Sequence, residues 1–185
     1  AHFDHVIGLP YFSAMYRADA TVDIWGPRNS RYGSIESTLN ELISPPFHPV
    51  PIFEMLAKKT FYDIGEADVV YFVRDQKAPI VLRPGHPDDK EKIPAAEDIE
   101  VEVRCMRGYN HPKSGVNLYK VISGGKSVVY ATDTEGYVNG DQRLIKFSEG
   151  TDLLIHDAMY TEKKYTTHPV PTQGFGHSTV EIAAE

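Results

Sequence analysis

The chain has 185 residues, 41% of them apolar, 11% aromatic and 24% charged, which suits one globular domain of ordinary composition and excludes a disordered or fibrous polymer. Its 26 acidic residues outweigh 19 basic ones for a formal charge of -7; with Lys and Arg scattered, a broad nucleic-acid-binding face is disfavoured. One cysteine, Cys105, excludes an internal disulfide framework and fits a reducing, cytoplasmic compartment.

No apolar run approaches the roughly 20 residues that span a bilayer, so no membrane partner is expected. The chain opens AHFDH, setting His2, Asp4 and His5 within four positions. VIGLPYFSAMY mixes Gly, Pro and apolar residues and reads as a loop running into a short helix. Residues 20–27, ATVDIWGP, alternate Val22 and Ile24 with polar neighbours and stop at Gly-Pro, as a strand does. Residues 34–43, SIESTLNELI, place Ile35, Leu39, Leu42 and Ile43 at helical spacing behind Ser34, a capping residue.

Pro45, Pro46, Pro49 and Pro51 make the next stretch a connector that cannot be one continuous helix until after Pro51. Residues 76–98 carry four prolines and a charge run and read as a surface insertion of low order. Residues 99–112 alternate Ile99, Val101, Val103 and Cys105 with Glu100, Glu102 and Arg104, then break at Asn110-His111-Pro112. This predicts a strand that buries Cys105, a structural thiol rather than a nucleophile. VNLYKVIS, Gly124-Gly125 and KSVVYATDTEG form a predicted hairpin whose second strand runs out at Asp133. TDLLIHDAMY, residues 151–160, reads as a short buried strand with polar residues at its end, and HSTVEIAAE as a helix start capped by Ser178 or Thr179.

His111, Asp133 and Asp157 therefore each sit where a predicted strand ends, and His177 sits just ahead of a helix. Strand ends and helix starts are where α/β proteins gather reactive groups. Histidine and carboxylate ligands without thiolate suit zinc or manganese. The candidates are His2, Asp4, His5, His111, Asp133 and His177; His48 and His86 read as loop residues, and His156 and His168 as structural. Asp133, on its TDTEG turn, could bridge two ions roughly 3.5–4 Å apart; the competing reading is a turn aspartate bonded to its own backbone.

AHFDHVIG resembles the HxHxDH signature of the metallo-β-lactamase superfamily, with only the first histidine unaccounted for, since it would precede Ala1. NHP at 110–112, VVYATDTEG at 128–136, DLLIHDAMY at 152–160 and GHST at 176–179 continue the match in order. The order and spacing are similar to the branch of phosphodiesterases that includes ribonuclease Z, cyclic-nucleotide phosphodiesterases and the phosphoribosyl cyclic phosphodiesterase of phosphonate catabolism. The resemblance implies an α/β, four-layer αββα sandwich formed as a single domain. Its N-terminal β-layer and its C-terminal end, with a further metal histidine, are expected to lie outside these residues.

It also implies two divalent ions, zinc ahead of manganese, with His2 and His111 on the first, Asp4 and His5 on the second, and Asp133 between them. His177 resembles the histidine that protonates the leaving oxygen, and Asp4 stands beside it among the catalytic residues. Asp157 either orients a metal-bound imidazole or is a buried, hydrogen-bonded aspartate. The relatives that grip tRNA insert a long arm between the third-motif histidine and the bridging aspartate, whereas His111 and Asp133 are only 22 positions apart. No such arm fits, and the acidic charge disfavours a polyanion. The expected activity is hydrolysis of a small or cyclic phosphodiester, by a chain that could pair as a homodimer. The alternatives are hydrolysis of another ester or a thioester on the same fold, or a non-catalytic, metal-poor binding module.

Overall fold

The computed structural model describes residues 2–83, 85, 92–167 and 169–185. It divides into two compact units, Ala1–Gly65 and Glu66–Glu185.

The first unit begins with one helical turn, α1 (Phe3–Val6), and two 3₁₀ turns at Leu9–Tyr11 and Ser13–Tyr16. Strand β1 (Thr21–Gly26) leads through helix α2 (Ile35–Leu42) to strand β2 (Lys58–Asp63). The strands pair in parallel, Thr21 opposite Lys58 through Gly26 opposite Asp63, which requires a crossover such as α2 provides. The Ser34 hydroxyl accepts from the Ser37 amide at 3.0 Å, and Asp63 Oδ1 accepts from the Ile35 amide at 2.9 Å. The end of β2 thus satisfies a helix-start donor that would otherwise have no intrahelical partner. Ile35 and Leu39 bury the inner face of α2 against Met15, Ile43, Ile52 and Met55, with Val22, Ile24 and Phe61 packed alongside. As the prolines require, the segment after α2 is irregular up to a 3₁₀ turn at Ile52–Glu54.

The second unit is built on a six-stranded sheet ordered β4-β3-β5-β6-β7-β8. Its strands are β3 (Val69–Val73), β4 (Ile80–Leu82), β5 (Ile99–Gly108), β6 (Val116–Ser123), β7 (Lys126–Ala131) and β8 (Leu153–His156). All neighbours are antiparallel except β7 and β8. The β6-β7 turn is Gly124-Gly125 with φ of 56° and 73°, the left-handed pair that a two-residue hairpin needs. Helix α3 (Gln142–Ser148) is the crossover between the parallel strands; Leu144 and Phe147 pack it on Met106, Leu118, Val129 and Ala131. Asp141 caps its start, and Lys120 Nζ donates to the Phe147 and Glu149 carbonyls at its end. Two short helices follow, α4 (Glu162–Thr167) and α5 (Val180–Ala184), the latter capped by the Thr179 hydroxyl.

Two expectations change. β8 is not buried: it lies at the sheet edge, with Leu153, Leu154 and Ile155 exposed. A run of apolar residues cannot distinguish an edge strand from a central one, because that depends on which neighbours the chain supplies. Within the proposed insertion at 76–98, residues Ile80–Leu82 form β4 and pair with β3, so that part belongs to the sheet. Residues 84 and 86–91 of that segment, with His86, lie outside the described residues, as does His168. No helix among the described residues is long and apolar enough to cross a membrane.

The topology fixes where reactive groups collect. β5 and β7 both run antiparallel to β6, and β8 runs parallel to β7. The C-terminal ends of all three therefore open on one side of the sheet, and they lead directly into His111, Asp133 and Asp157.

Candidate functional site

Asp157 leaves β8 with its amide bonded to the Ala131 carbonyl at the end of β7, 3.0 Å away. Two residues beyond Ala131, Asp133 adopts φ 54°, a left-handed conformation that aspartate tolerates better than most residues. The segment with His177 is brought in by a parallel bridge between Tyr160 and Thr179 and by the Tyr160 amide donating to the Ser178 carbonyl at 3.0 Å.

At the centre, His177 Nδ1 lies 2.6 Å from Asp157 Oδ2 and 3.9 Å from Asp133 Oδ1. Asp157 is 8% exposed, and its other oxygen accepts from the Ser178 amide at 3.2 Å and the Met159 amide at 3.0 Å. A polar group this buried needs such hydrogen-bond partners. Because a carboxylate accepts, the His177 Nδ1–H donates, which leaves Nε2 as the ring atom aimed elsewhere. The ring of His177 meets Tyr160 edge-on at 5.9 Å and His111 edge-on at 5.2 Å.

His111 is itself buried, and its Nδ1 donates to the Gly176 carbonyl at 3.0 Å. That bond makes Nδ1 the nitrogen that donates, so that any ligand role falls to Nε2. Gly176 has φ 88°, and a Cβ there would lie 2.2 Å from His111 Nδ1, so only glycine permits this approach.

The ligand atoms of Asp133, Asp157 and His177 lie within 4.8 Å of one another. Two carboxylates and an imidazole are residue types that a hard or borderline divalent ion takes, but His177 Nδ1 and Asp157 Oδ2 are here bonded to each other. Of the residues the sequence singled out, His111, Asp133 and His177 are thus gathered at one end of the second unit's sheet. His2, Asp4 and His5 belong to the first unit, at the start of α1 and in its turn. Asp4 is well exposed, and its Oδ2 lies 3.6 Å from His5 Nε2.

Of two further participants, the sequence leaves Asp157 with two readings, an orienter of an imidazole or a buried, hydrogen-bonded aspartate, and Glu135 with none. Asp157 bonds the proposed acid His177 directly; its position just past β8, level with the exit of β7, was the available signal. Glu135 is the other. Its carboxylate accepts from Tyr165 Oη at 2.5 Å and from the Gly174 and Gly176 amides at 2.8 Å each. Burial, reinforced by this carboxylate, pushes the Tyr165 phenol up to about 12. Nothing local in TDTEG distinguishes Glu135 from an exposed turn residue, because its partners lie about 30 to 41 positions away.

No family model matches the chain. It is 27% identical over a 204-residue alignment to ribonuclease Z of Ignicoccus hospitalis (strain KIN4/I), covering 99% of the chain and 62% of that protein. It is 25% identical over 194 residues to ribonuclease Z of Thermoplasma acidophilum, covering 99% of the chain and 60% of that protein. The chain thus spans about three fifths of the curated relatives it matches. Among solved structures it is similar to the metallo-β-lactamase fold protein YhfI from Bacillus subtilis. The TM-score is 0.54 at 17% identity, covering 98% of this chain and 54% of that one.

Proposed function

We propose, from its similarity to two ribonuclease Z proteins and its metallo-β-lactamase-like fold, that the chain is a metallo-β-lactamase superfamily hydrolase, and that it is a divalent-metal-dependent phosphodiesterase acting on a small or cyclic phosphodiester. The observation that carries this reading is the 2.6 Å bond between His177 Nδ1 and Asp157 Oδ2, set beside Asp133 and His111. In it an imidazole is oriented and electrostatically supported by a buried carboxylate, as a proton donor to a developing alkoxide needs. Asp157 holds the ring through Nδ1 and so leaves Nε2 as the nitrogen that would carry the transferred proton. His177 then gives up the Nε2 proton to the departing oxygen and keeps its Nδ1–H on Asp157.

The donor set fits a metal. With Nδ1 bonded to the Gly176 carbonyl, His111 would ligate through Nε2, and Asp133 would ligate through its carboxylate from a position just past the end of β7. In the first unit, His2, Asp4 and His5 are proposed as further ligands, with Asp4 also a catalytic candidate. The number of ions proposed is two, with zinc preferred. Bound divalent ions supply a hydroxide at neutral pH and offset charge on the phosphoryl oxygens. Two ribonuclease Z relatives support a nuclease or phosphodiesterase type of chemistry, and the short spacing between His111 and Asp133 supports the small substrate.

The experiment is hydrolysis of bis(p-nitrophenyl) phosphate by the full-length protein with zinc or manganese added, beside a thioester under the same conditions. Metal-dependent release of p-nitrophenol that a chelator stops is the expected result. Turnover of the thioester alone would discard the phosphodiesterase reading.

A further inference from the structure

Two loops are tied to the Thr134–Glu135 dipeptide and each carries an exposed aromatic residue beside its point of attachment, and a third exposed aromatic follows the dipeptide in its own segment. Asn110 Nδ2 donates to Thr134 Oγ1 at 2.7 Å and to the Glu135 carbonyl; its neighbour Tyr109 is 69% exposed. The Glu135 carboxylate takes the Gly174 and Gly176 amides at 2.8 Å, and between these glycines Phe175 is 52% exposed. Two residues after Glu135, Tyr137 is 51% exposed at the start of a turn closed by the Gly140 amide on the Tyr137 carbonyl at 2.9 Å. Thr134 is buried, so the frame these loops share is anchored in the body of the unit.

Single exposed aromatics are ordinary on a protein surface. Three that flank the loops of His111, Asp133 and His177, two on loops hydrogen-bonded to one dipeptide and the third two residues beyond it, are a different matter. Their backbones are fixed before any ligand arrives, so stacking on them costs little ordering entropy. The Arg143 guanidinium lies 5.3 Å from the Tyr109 ring centre, and this contact holds the ring by a cation–π attraction. Exposed rings on these loops, beside the proposed phosphodiester site, suit the planar group of an ester, which stacks through its π-face whatever its hydrogen-bonding edges.

We propose that Tyr109, Tyr137 and Phe175 form a stacking platform that receives a planar unsaturated ring, a nucleobase or an aryl group, attached to the phosphodiester, and that they set the preference for such substrates. This rests on the phosphodiesterase reading above and adds the residues that choose among phosphodiesters. Glu135 is a positioning residue in it, acting through the loops it ties.

The test pairs turnover with binding, using the metal-loaded protein. Adenosine 2′,3′-cyclic phosphate is compared with ethylene phosphate, the same strained ring without a base, by ³¹P NMR; bis(p-nitrophenyl) phosphate supplies the aryl arm. Titration calorimetry compares adenosine 5′-monophosphate with ribose 5-phosphate. The expected preference for ring-bearing members falls about tenfold in Tyr109→Ala and in Phe175→Ala, expressed mainly in KM and Kd. Tyr109→Phe, which keeps the ring, restores it. A variant that merely loosens the fold lowers both members of a pair alike and leaves the ratio in place. A fall confined to the aryl substrate supports the platform and assigns it to aryl esters; one confined to the adenosine ligands assigns it to nucleobases. A ratio that moves on neither ring-bearing ligand overturns the platform. Ring-dependent binding without turnover of any phosphodiester overturns the phosphodiesterase reading and leaves the platform standing.

Discussion

His177 and Asp157 are joined by a 2.6 Å bond from Nδ1 to Oδ2, and Asp157 is also fixed by two backbone amides. The bond assigns the imidazole its tautomer and its direction, and makes the pair a unit with two separable roles. Replacing His177 by Ala removes the proton donor and is expected to lower kcat roughly 10²- to 10⁴-fold, with metal content by mass spectrometry unchanged. Loss of metal instead would make His177 a ligand. Asp157→Asn keeps the shape and removes the charge; kcat is expected to fall about 10- to 100-fold with KM little altered.

Asp133 is the proposed bridging residue, and its φ of 54° complicates an alanine test, since Ala dislikes that conformation. Asparagine tolerates it. Asp133→Asn is therefore expected to leave the thermal midpoint nearly in place while removing both phosphodiesterase activity and the second equivalent of metal. Retention of activity and of two metal equivalents together would end the bridging assignment.

Parts of this arrangement are legible in the sequence because their causes are local. α2 and α5 announce themselves by a hydroxyl cap and apolar spacing, with Ser34 and Thr179 bonded as that pattern requires. The β6-β7 hairpin follows from Gly124-Gly125. What was not legible depends on distant partners. β2, β3 and β4 are strands because of the neighbours they pair with, and Ile80–Leu82 sits among prolines and charges that locally argue for a loop. α3 is seven residues held by Leu144 and Phe147 against the sheet, too short for periodicity to stand out. In the site, His111, Asp133 and His177 could be picked out by residue type at the ends of elements. The bond between Asp157 and His177 could not, because it spans 20 positions and depends on the bridge from Tyr160 to Thr179 that brings the His177 segment to the end of β8.

Gly176 and Gly174 separate two costs of adding a methyl group. Both have positive φ, 88° and 82°. A Cβ at Gly174 meets nothing within 4 Å, but at Gly176 it would lie 2.2 Å from His111 Nδ1 and 2.6 Å from Pro112 Cδ. Gly174→Ala is expected to cost about 1 kcal/mol of backbone strain, a Tm fall of roughly 2–4 °C. Gly176→Ala is expected to cost more and to weaken metal retention as well, because His111 must move. Equal effects of the two substitutions on Tm and metal content would show that the Gly176 carbonyl does not hold His111.

Cys105 is 2% exposed in β5, and burial, with Asp68 and Glu66 nearby, pushes its thiol up to about 12 from an ordinary 9.0. The folded protein therefore holds this proton at pH values where the unfolded chain releases it. Since fewer protons are bound on unfolding, stability falls as pH rises above about 9, by up to about 1.4 kcal/mol per pH unit for one such group. Tyr119, also pushed up to about 12 by burial, adds to the fall once pH passes the phenol's ordinary range. In Cys105→Ala the cavity cost is the same at every pH, so the thermal midpoint is expected to start lower at pH 8 and to decline less steeply between pH 9 and 10.5. The native thiol should also resist iodoacetamide at pH 8.5 and react only after denaturation. Rapid alkylation of the folded protein, or parallel midpoint curves for the two proteins, would mean that the thiol is not held protonated in the core.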